Sequence, residues 1–199
     1  MDIEIIAQAF WLIIPAYIAN GCAVLVGGGK PIDFGKKYKD GRRILGDGKT
    51  WRGLFLGAFL GMIGGFGLST AAFYINQLDR EILTVSNFEG FPLMIPIIFS
   101  ICFGALMGDI IASFFKRRIG KDRGQDWIPV DQLDFILGVL FFSFLMAGLL
   151  QILDLTAGEN WFIKNFTYWH ILFLLIITPL FHFIGNLMHK TAKAKHAES

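Results

Sequence analysis

The amino-acid sequence predicts an all-α polytopic membrane protein with about five transmembrane helices, its N-terminus outside and its C-terminus in the cytoplasm. Three observations lead there. Of the 199 residues, 54% are hydrophobic and 17% charged, short of the roughly one-quarter charged residues of soluble domains. Apolar windows of the roughly 20 residues that a helix needs to cross a bilayer core recur along the chain. The cations are clumped between those windows, sixteen of the 18 Lys and Arg falling in three segments. This composition excludes an ordinary soluble domain or a disordered chain and argues against a nucleic-acid partner.

The windows fall at about 4–27, 53–76, 92–115, 132–153 and 167–188. The first begins beside Asp2 and Glu4 instead of a basic region and is longer than a cleavable apolar segment, so it is expected to remain in the mature chain. In the second, Gly57, Gly61 and Gly65 recur every four residues, a smooth stripe along which another helix can approach closely. The third and fourth carry the unusual acids. The last contains His182, Asn186 and His189 on one face, read as interhelical hydrogen bonding. Pro15, Pro92, Pro96 and Pro179 are tolerable because neighbouring membrane helices re-satisfy freed backbone groups.

Orientation follows from the loops. Residues 30–52 hold eight Lys or Arg, 115–131 hold five and the tail from Lys190 three, whereas Arg80 and Lys164 sit among acids in the opposite loops. The positive-inside rule places the basic loops, about 28–52 and 116–131, and the C-terminus in the cytoplasm. Residues 1–199 are therefore expected to form a single integral domain of the cell membrane, with any active site at its cytoplasmic face. Cys22 and Cys102 lie in apolar runs without metal-ligand spacing and are packing residues. Trp11, Trp51, Trp127, Trp161 and Trp169 fall mainly near span ends, as an interfacial belt would.

Asp109 lies inside the third span, where a carboxylate is costly and usually functional. Ser113, Lys116 and Arg117 follow it by four, seven and eight residues, so all four share one helical stripe from the span interior to the water boundary. Asp131 and Asp134 open the fourth span three residues apart, after Pro129. Capping against the positive end of the helix dipole is an alternative explanation for these two acids, but not for Asp109. If the third and fourth helices pack antiparallel, Asp109, Asp131 and Asp134 converge within a metal's reach. Oxygen ligands without Cys or His point to Mg²⁺. The first basic loop adds Arg43, Asp47, Gly48, Lys49, Thr50 and Arg52, groups suited to phosphate. Its GKT tripeptide is not a Walker A motif, because Arg43 stands where that motif needs Gly and no strand precedes it. A nucleotide contact is the reading favoured for this loop.

The string from Asp109 to Asp134, D-x3-S-F-F-K-R, then K-D-x-G, Pro129 and D-Q-L-D, resembles the signature of the CTP:phosphatidate cytidylyltransferases. That signature reads roughly S-x-x-K-R, K-D-x-G, P-G-H-G-G, D-R-x-D. Ser113, Lys116, Arg117, Lys121, Asp122, Gly124, Pro129, Asp131 and Asp134 match it, the His-Gly-Gly element is missing, and Gln132 replaces the Arg. These departures, the small size and the ILGDGKTWRG loop look closest to the archaeal branch, the CDP-archaeol synthases. The resemblance implies Mg²⁺-dependent transfer of CMP from CTP to an isoprenoid ether-lipid phosphate, releasing pyrophosphate. It implies Asp109, Lys116, Asp131 and Asp134 as catalytic residues, the three acids holding metal. Arg43, Asp47, Gly48, Lys49, Thr50, Arg52, Ser113, Lys116, Arg117 and Lys121 would bind the nucleotide.

Rival readings are weaker. A small transporter or channel with an intramembrane Asp cation path predicts acids spread through the bilayer's depth, whereas here they gather on one side. A lipid-binding scaffold leaves Asp109 without a role. A CDP-alcohol phosphotransferase requires a D-G-x2-A-R pattern that the chain lacks.

Overall fold

The computed structural model describes residues 3–78, 84–122, 125, 127–156 and 158–181. Arg80, Gly124, His182, Asn186, His189 and the C-terminal tail, all of which entered the sequence reading, lie outside the described residues. Those that are described form helices and loops. Helix α1 spans Ile3–Leu25, α2 Trp51–Leu78, α3 Met94–Arg118 and α4 Val130–Ile152, each within a few residues of its predicted window. All four are long and apolar enough to cross a bilayer. A short helix, α5 (Trp161–Asn165), was not expected from the sequence. The fifth predicted span is described as α6, Tyr168–Phe181, and its remainder lies beyond the described residues.

Close approach of backbones organises the bundle. α3 packs most extensively on α4, and α1 on α2. The predicted glycine stripe on α2 is the seam for α1 as well as for α3. A Cβ at Gly57 would meet the Ala19 carbonyl at 2.9 Å, one at Gly61 the Pro15 carbonyl at 2.9 Å, and one at Gly65 the Ile98 side chain. Membrane helices lack a hydrophobic force between them, so small residues that admit van der Waals contact set where they meet. A second seam, between α3 and α4, uses Gly104, Gly108 and Gly138. A Cβ at Gly108 would collide with the Asp134 carbonyl, and one at Gly138 with the Gly104 carbonyl.

The predicted roles of the cysteines and tryptophans divide. Cys102 is buried and its thiol lies 3.6 Å from the Pro15 carbonyl, so it packs as expected, and Cys22 is also a free thiol. Trp51 and Trp169 are exposed, in keeping with an interfacial belt, but Trp161 is 1% exposed and packs between Phe88 and Phe166. Trp11 donates to the Ser86 carbonyl at 2.9 Å, tying α1 to the loop after α2.

The 26–50 loop is ordered by a buried carboxylate that the sequence reading did not single out. Asp33, whose side chain is fully buried, accepts from Arg43 Nε at 3.2 Å and Nη2 at 2.8 Å. It also accepts from the amides of Gly35, Leu45 and Gly46 at 3.0–3.1 Å. Burial alone would raise its pKa. The guanidinium and the three amides outweigh burial and hold the carboxyl well below the usual carboxylate range. Isolated antiparallel bridges pair Pro31 with Thr50 and Lys37 with Arg43. Arg118 joins this loop to the end of α3, pairing with Asp40 at 2.6 Å and donating to the Arg43 carbonyl.

Candidate active site

Three elements converge beneath this loop. α3 presents Asp109, Ser113, Lys116 and Arg117, α4 presents Asp131 and Asp134, and the first loop presents Asp47, Gly48 and Lys49. All nine line one cavity of about 500 Å³, whose walls also include Gly27 and Gly28 at the exit of α1. The helical spacing accounts for the first set, because positions four and seven apart lie on one face. The tight α3–α4 seam accounts for the meeting of the two helices' acids. Gly108, beside Asp109, faces the backbone of Asp134 itself.

Inside the cavity charges are paired across elements. Lys49 from the loop forms an ion pair with Asp109 on α3, and Lys116 on α3 forms one with Asp131 on α4. Asp131 also accepts the Trp127 amide at 2.9 Å, so the carboxylate that faces the cavity fixes the entry to α4 as well. Asp134 accepts the amide of Phe135 at 2.6 Å and makes no ion pair among the described residues. Arg117 is held by carbonyls, its Nε donating to Leu45 at 3.2 Å and its Nη1 to Lys121 at 2.5 Å.

The donor set suits a hard divalent ion, since four carboxylates, Asp47 and the predicted Asp109, Asp131 and Asp134, line one cavity and none of its lining residues is Cys or His. With Asp109 and Asp131 engaged by lysines, no group of three His, Cys, Asp or Glu among the described residues stands as a ready-made metal cage. The side chains that would neutralise the acids in the absence of a cation are thus the same lysines that suit phosphate.

Other predicted residues are placed differently. Thr50 is buried at the start of α2, where its Oγ1 accepts the Gly53 amide at 3.1 Å, the geometry of a helix N-cap. With Lys49, Asp109 and Asn20 it lines a chamber of about 50 Å³ adjoining the main cavity. Arg43 is engaged by Asp33 and Asp47, and with Lys121 it lines a separate basic pocket of about 410 Å³. Arg52 is exposed on the first turn of α2 and lines none of these spaces. Gly27 and Gly28, at the exit of α1, are cavity wall.

On the bilayer side, a groove of about 250 Å³ lies between α3 and α4, lined almost wholly by apolar side chains including Ile111, Phe115, Trp127 and Phe141. Asp134 is common to groove and cavity.

Comparison with known proteins decides the family. The model of a family described as CarS-like, CDP-archaeol synthase, matches residues 2–197. The chain belongs to the CDP-archaeol synthase family. The CDP-archaeol synthase of Methanosarcina barkeri is 43% identical over 178 residues, 88% of this chain and 93% of that one. That of Pyrococcus horikoshii is 38% identical over 187 residues, 94% and 93% of the two chains. A solved structure of an intramembrane enzyme for archaeal membrane lipid biosynthesis superposes with a TM-score of 0.67 at 34% identity, covering 92% of this chain and 94% of that one. The resemblance seen in the Asp109–Asp134 string therefore extends over nearly the whole chain. Membership makes the protein a multi-pass membrane enzyme, a nucleotidyltransferase, and the cavity between α3, α4 and the first loop is its candidate active site.

Proposed function

We propose that the protein transfers CMP from CTP to an unsaturated isoprenoid ether-lipid phosphate, 2,3-bis-O-geranylgeranyl-sn-glycerol 1-phosphate, forming CDP-archaeol and pyrophosphate at the cytoplasmic face of the cell membrane. The observation that carries this reading is the joint wall at Asp134. A polar cavity with carboxylates and phosphate-suited cations adjoins an apolar groove there, so a charged nucleotide and a lipid can meet at one point.

The chemistry asks for positioning and charge neutralisation more than for covalent help. A lipid phosphate is largely ionised near neutral pH, so it attacks without a strong general base. Asp109, Asp131 and Asp134 would hold Mg²⁺, which when bound supplies charge neutralisation to the phosphates. Lys49 and Lys116, relieved of Asp109 and Asp131, turn their ammonium groups to the nucleotide phosphates, and Ser113 adds a hydroxyl from the same face. Gly27, Gly28 and Gly48 allow backbone to come close to the anion. The isoprenoid chains lie along the α3–α4 groove with the lipid phosphate at Asp134. Aspartate and glutamate are absent from α2 and α6, and α1 carries only Glu4 at its far end, which favours this reading over a cation path through the bilayer.

Purified protein in detergent, given Mg²⁺, the ether-lipid phosphate and each labelled nucleotide in turn, is expected to form a lipid-soluble nucleotide product with CTP and not with ATP or GTP. A product formed equally well with every nucleotide, or none with CTP, would overturn the proposal.

A further inference from the structure

The basic pocket beside the main cavity has a charge balance unlike its neighbour's. The cavity is lined by four carboxylates, Asp47, Asp109, Asp131 and Asp134, against three cations. The side pocket is lined by five cations, Lys37, Arg42, Arg43, Arg117 and Lys121, against Asp47 and Asp122. An anion in the first space needs a metal to offset the acids; in the second it does not. Two of the cations are both exposed and uncommitted to acids. Lys37 and Arg42 are exposed and form no ion pair among the described residues, and the Arg42 guanidinium donates one long hydrogen bond among them, from Nη1 to the Arg117 carbonyl at 3.4 Å. The two spaces share a wall of Gly46, Asp47 and Arg117. Gly46 has φ +104°, and a Cβ there would lie in ordinary contact with Arg117 Nε at 3.6 Å, so Gly46 and Arg117 sit side by side in that wall.

Position decides what the pocket receives. In phosphoryl-type transfer the attacking and leaving oxygens lie roughly in line across the phosphorus. The lipid groove meets the cavity at Asp134, whereas the basic pocket meets it at Gly46, Asp47 and Arg117 and shares no residue with the groove. A nucleophile entering from the groove thus has the basic pocket available on another side of the reacting phosphorus. We propose that this pocket is a product site, where Lys37 and Arg42 bind the pyrophosphate leaving group after it passes Arg117. The inference rests on the cytidylyl-transfer reading above. In that step a lipid phosphate oxygen forms a bond to the α-phosphorus of CTP, and the bond from that phosphorus to the α–β bridging oxygen breaks. Its electron pair departs with the oxygen as pyrophosphate. Charge then draws the polyanion from a net acidic space into a net basic one, the direction that separates it from the new lipid product.

The test is a Lys37→Ala/Arg42→Ala double variant of the full chain in detergent. Calorimetric titration with pyrophosphate alone is expected to show binding at least tenfold weaker than to the wild type. Inhibition of CMP transfer by added pyrophosphate should weaken by a similar factor, with the KM for CTP within about twofold. Unchanged pyrophosphate binding overturns the proposal, and so does a KM for CTP that rises as much as the inhibition constant, since that assigns the pocket to the incoming triphosphate. Because the titration needs no turnover, tight wild-type binding that the variant loses, in a protein that never consumes CTP, would count against the transfer reaction while leaving an anion site in place.

Discussion

At the scale of single residues, two of the three acids that α3 and α4 bring to the cavity are neutralised in pairs by lysines. Asp109 with Lys49, and Asp131 with Lys116, each span two elements. Asp109→Asn, Asp131→Asn and Lys116→Ala are each expected to lower CMP transfer by at least about a hundredfold, the scale of losing one charge-stabilising group. The folded protein should remain extractable, and turnover like the wild type's in any variant would remove that residue from the mechanism. Asp33 acts differently, because it holds the loop and not the substrate. Its carboxyl titrates below the usual range in the folded protein, so the order it confers is fully present above the unfolded value of about 3.9. That order is lost as the pH falls from there through the lower folded value. A spin label at position 39 is therefore expected to stay equally restrained from pH 8 to about 5 and to loosen only below about 4. In Asp33→Ala it should be loose throughout, at a cost of order 3 kcal/mol for opening a buried pair. Loosening of the wild type near pH 6 would contradict this account. The two residues also mark what was legible. Asp109, Ser113, Lys116 and Arg117 could be placed together because helical periodicity is a local rule. Asp33 gathers donors up to 13 residues away, and the only local cue was the Asp-x-Gly order of a turn.

At the scale of elements, the distance between the acids of α3 and α4 is set by glycine. The sequence showed the four-residue spacing on α2, and that stripe lies against α1 and α3 as its regularity implied. The α3–α4 seam was harder to see, since Gly104, Gly108 and Gly138 acquire meaning only when the two helices are laid side by side. Gly138 is four residues after Asp134 and its Cα faces the backbone of Gly108, next to Asp109. A methyl group at Gly138 has backbone on its far side, the Gly104 carbonyl, which cannot swing away as a side chain would. Gly138→Ala is therefore expected to part the helices, with a loss of about 1–3 kcal/mol, the usual cost of overpacking, and a larger fractional loss of turnover than of stability. Gly148→Ala on the same helix meets nothing within 4 Å and should be neutral or slightly stabilising, since alanine has the better helix propensity. Thermal unfolding and CMP transfer measured on both variants check this. Equal behaviour of the two would mean that the seam does not set the site.

At the scale of the whole molecule, the loops sort to two ends. Arg42 and Arg118 bind the 26–50 loop to the end of α3, so both described basic loops share one end with the cavity. At the other end, Gln8 near the start of α1 meets Ser86 in the loop after α2 and Asn165 at the end of α5. The span lengths and the clumping of charge were legible because bilayer thickness and the sorting of cations act on the sequence directly. The short α5 was not, because a five-residue helix carries no periodic signal. An enzyme that joins a water-soluble nucleotide to a membrane lipid must open its polar cavity to the compartment that holds the nucleotide, so the basic end is expected to face the cytoplasm. With Cys22 and Cys102 replaced by alanine, single cysteines at Lys39 and Gln125 should resist a membrane-impermeant maleimide in sealed right-side-out vesicles and react in inverted ones. A cysteine at Gly158 should show the opposite pattern. Labelling of Lys39→Cys and Gly158→Cys from the same side would break the two-ended arrangement, and labelling of each from the side opposite to that expected would reverse the orientation and leave the cavity without access to cytoplasmic CTP.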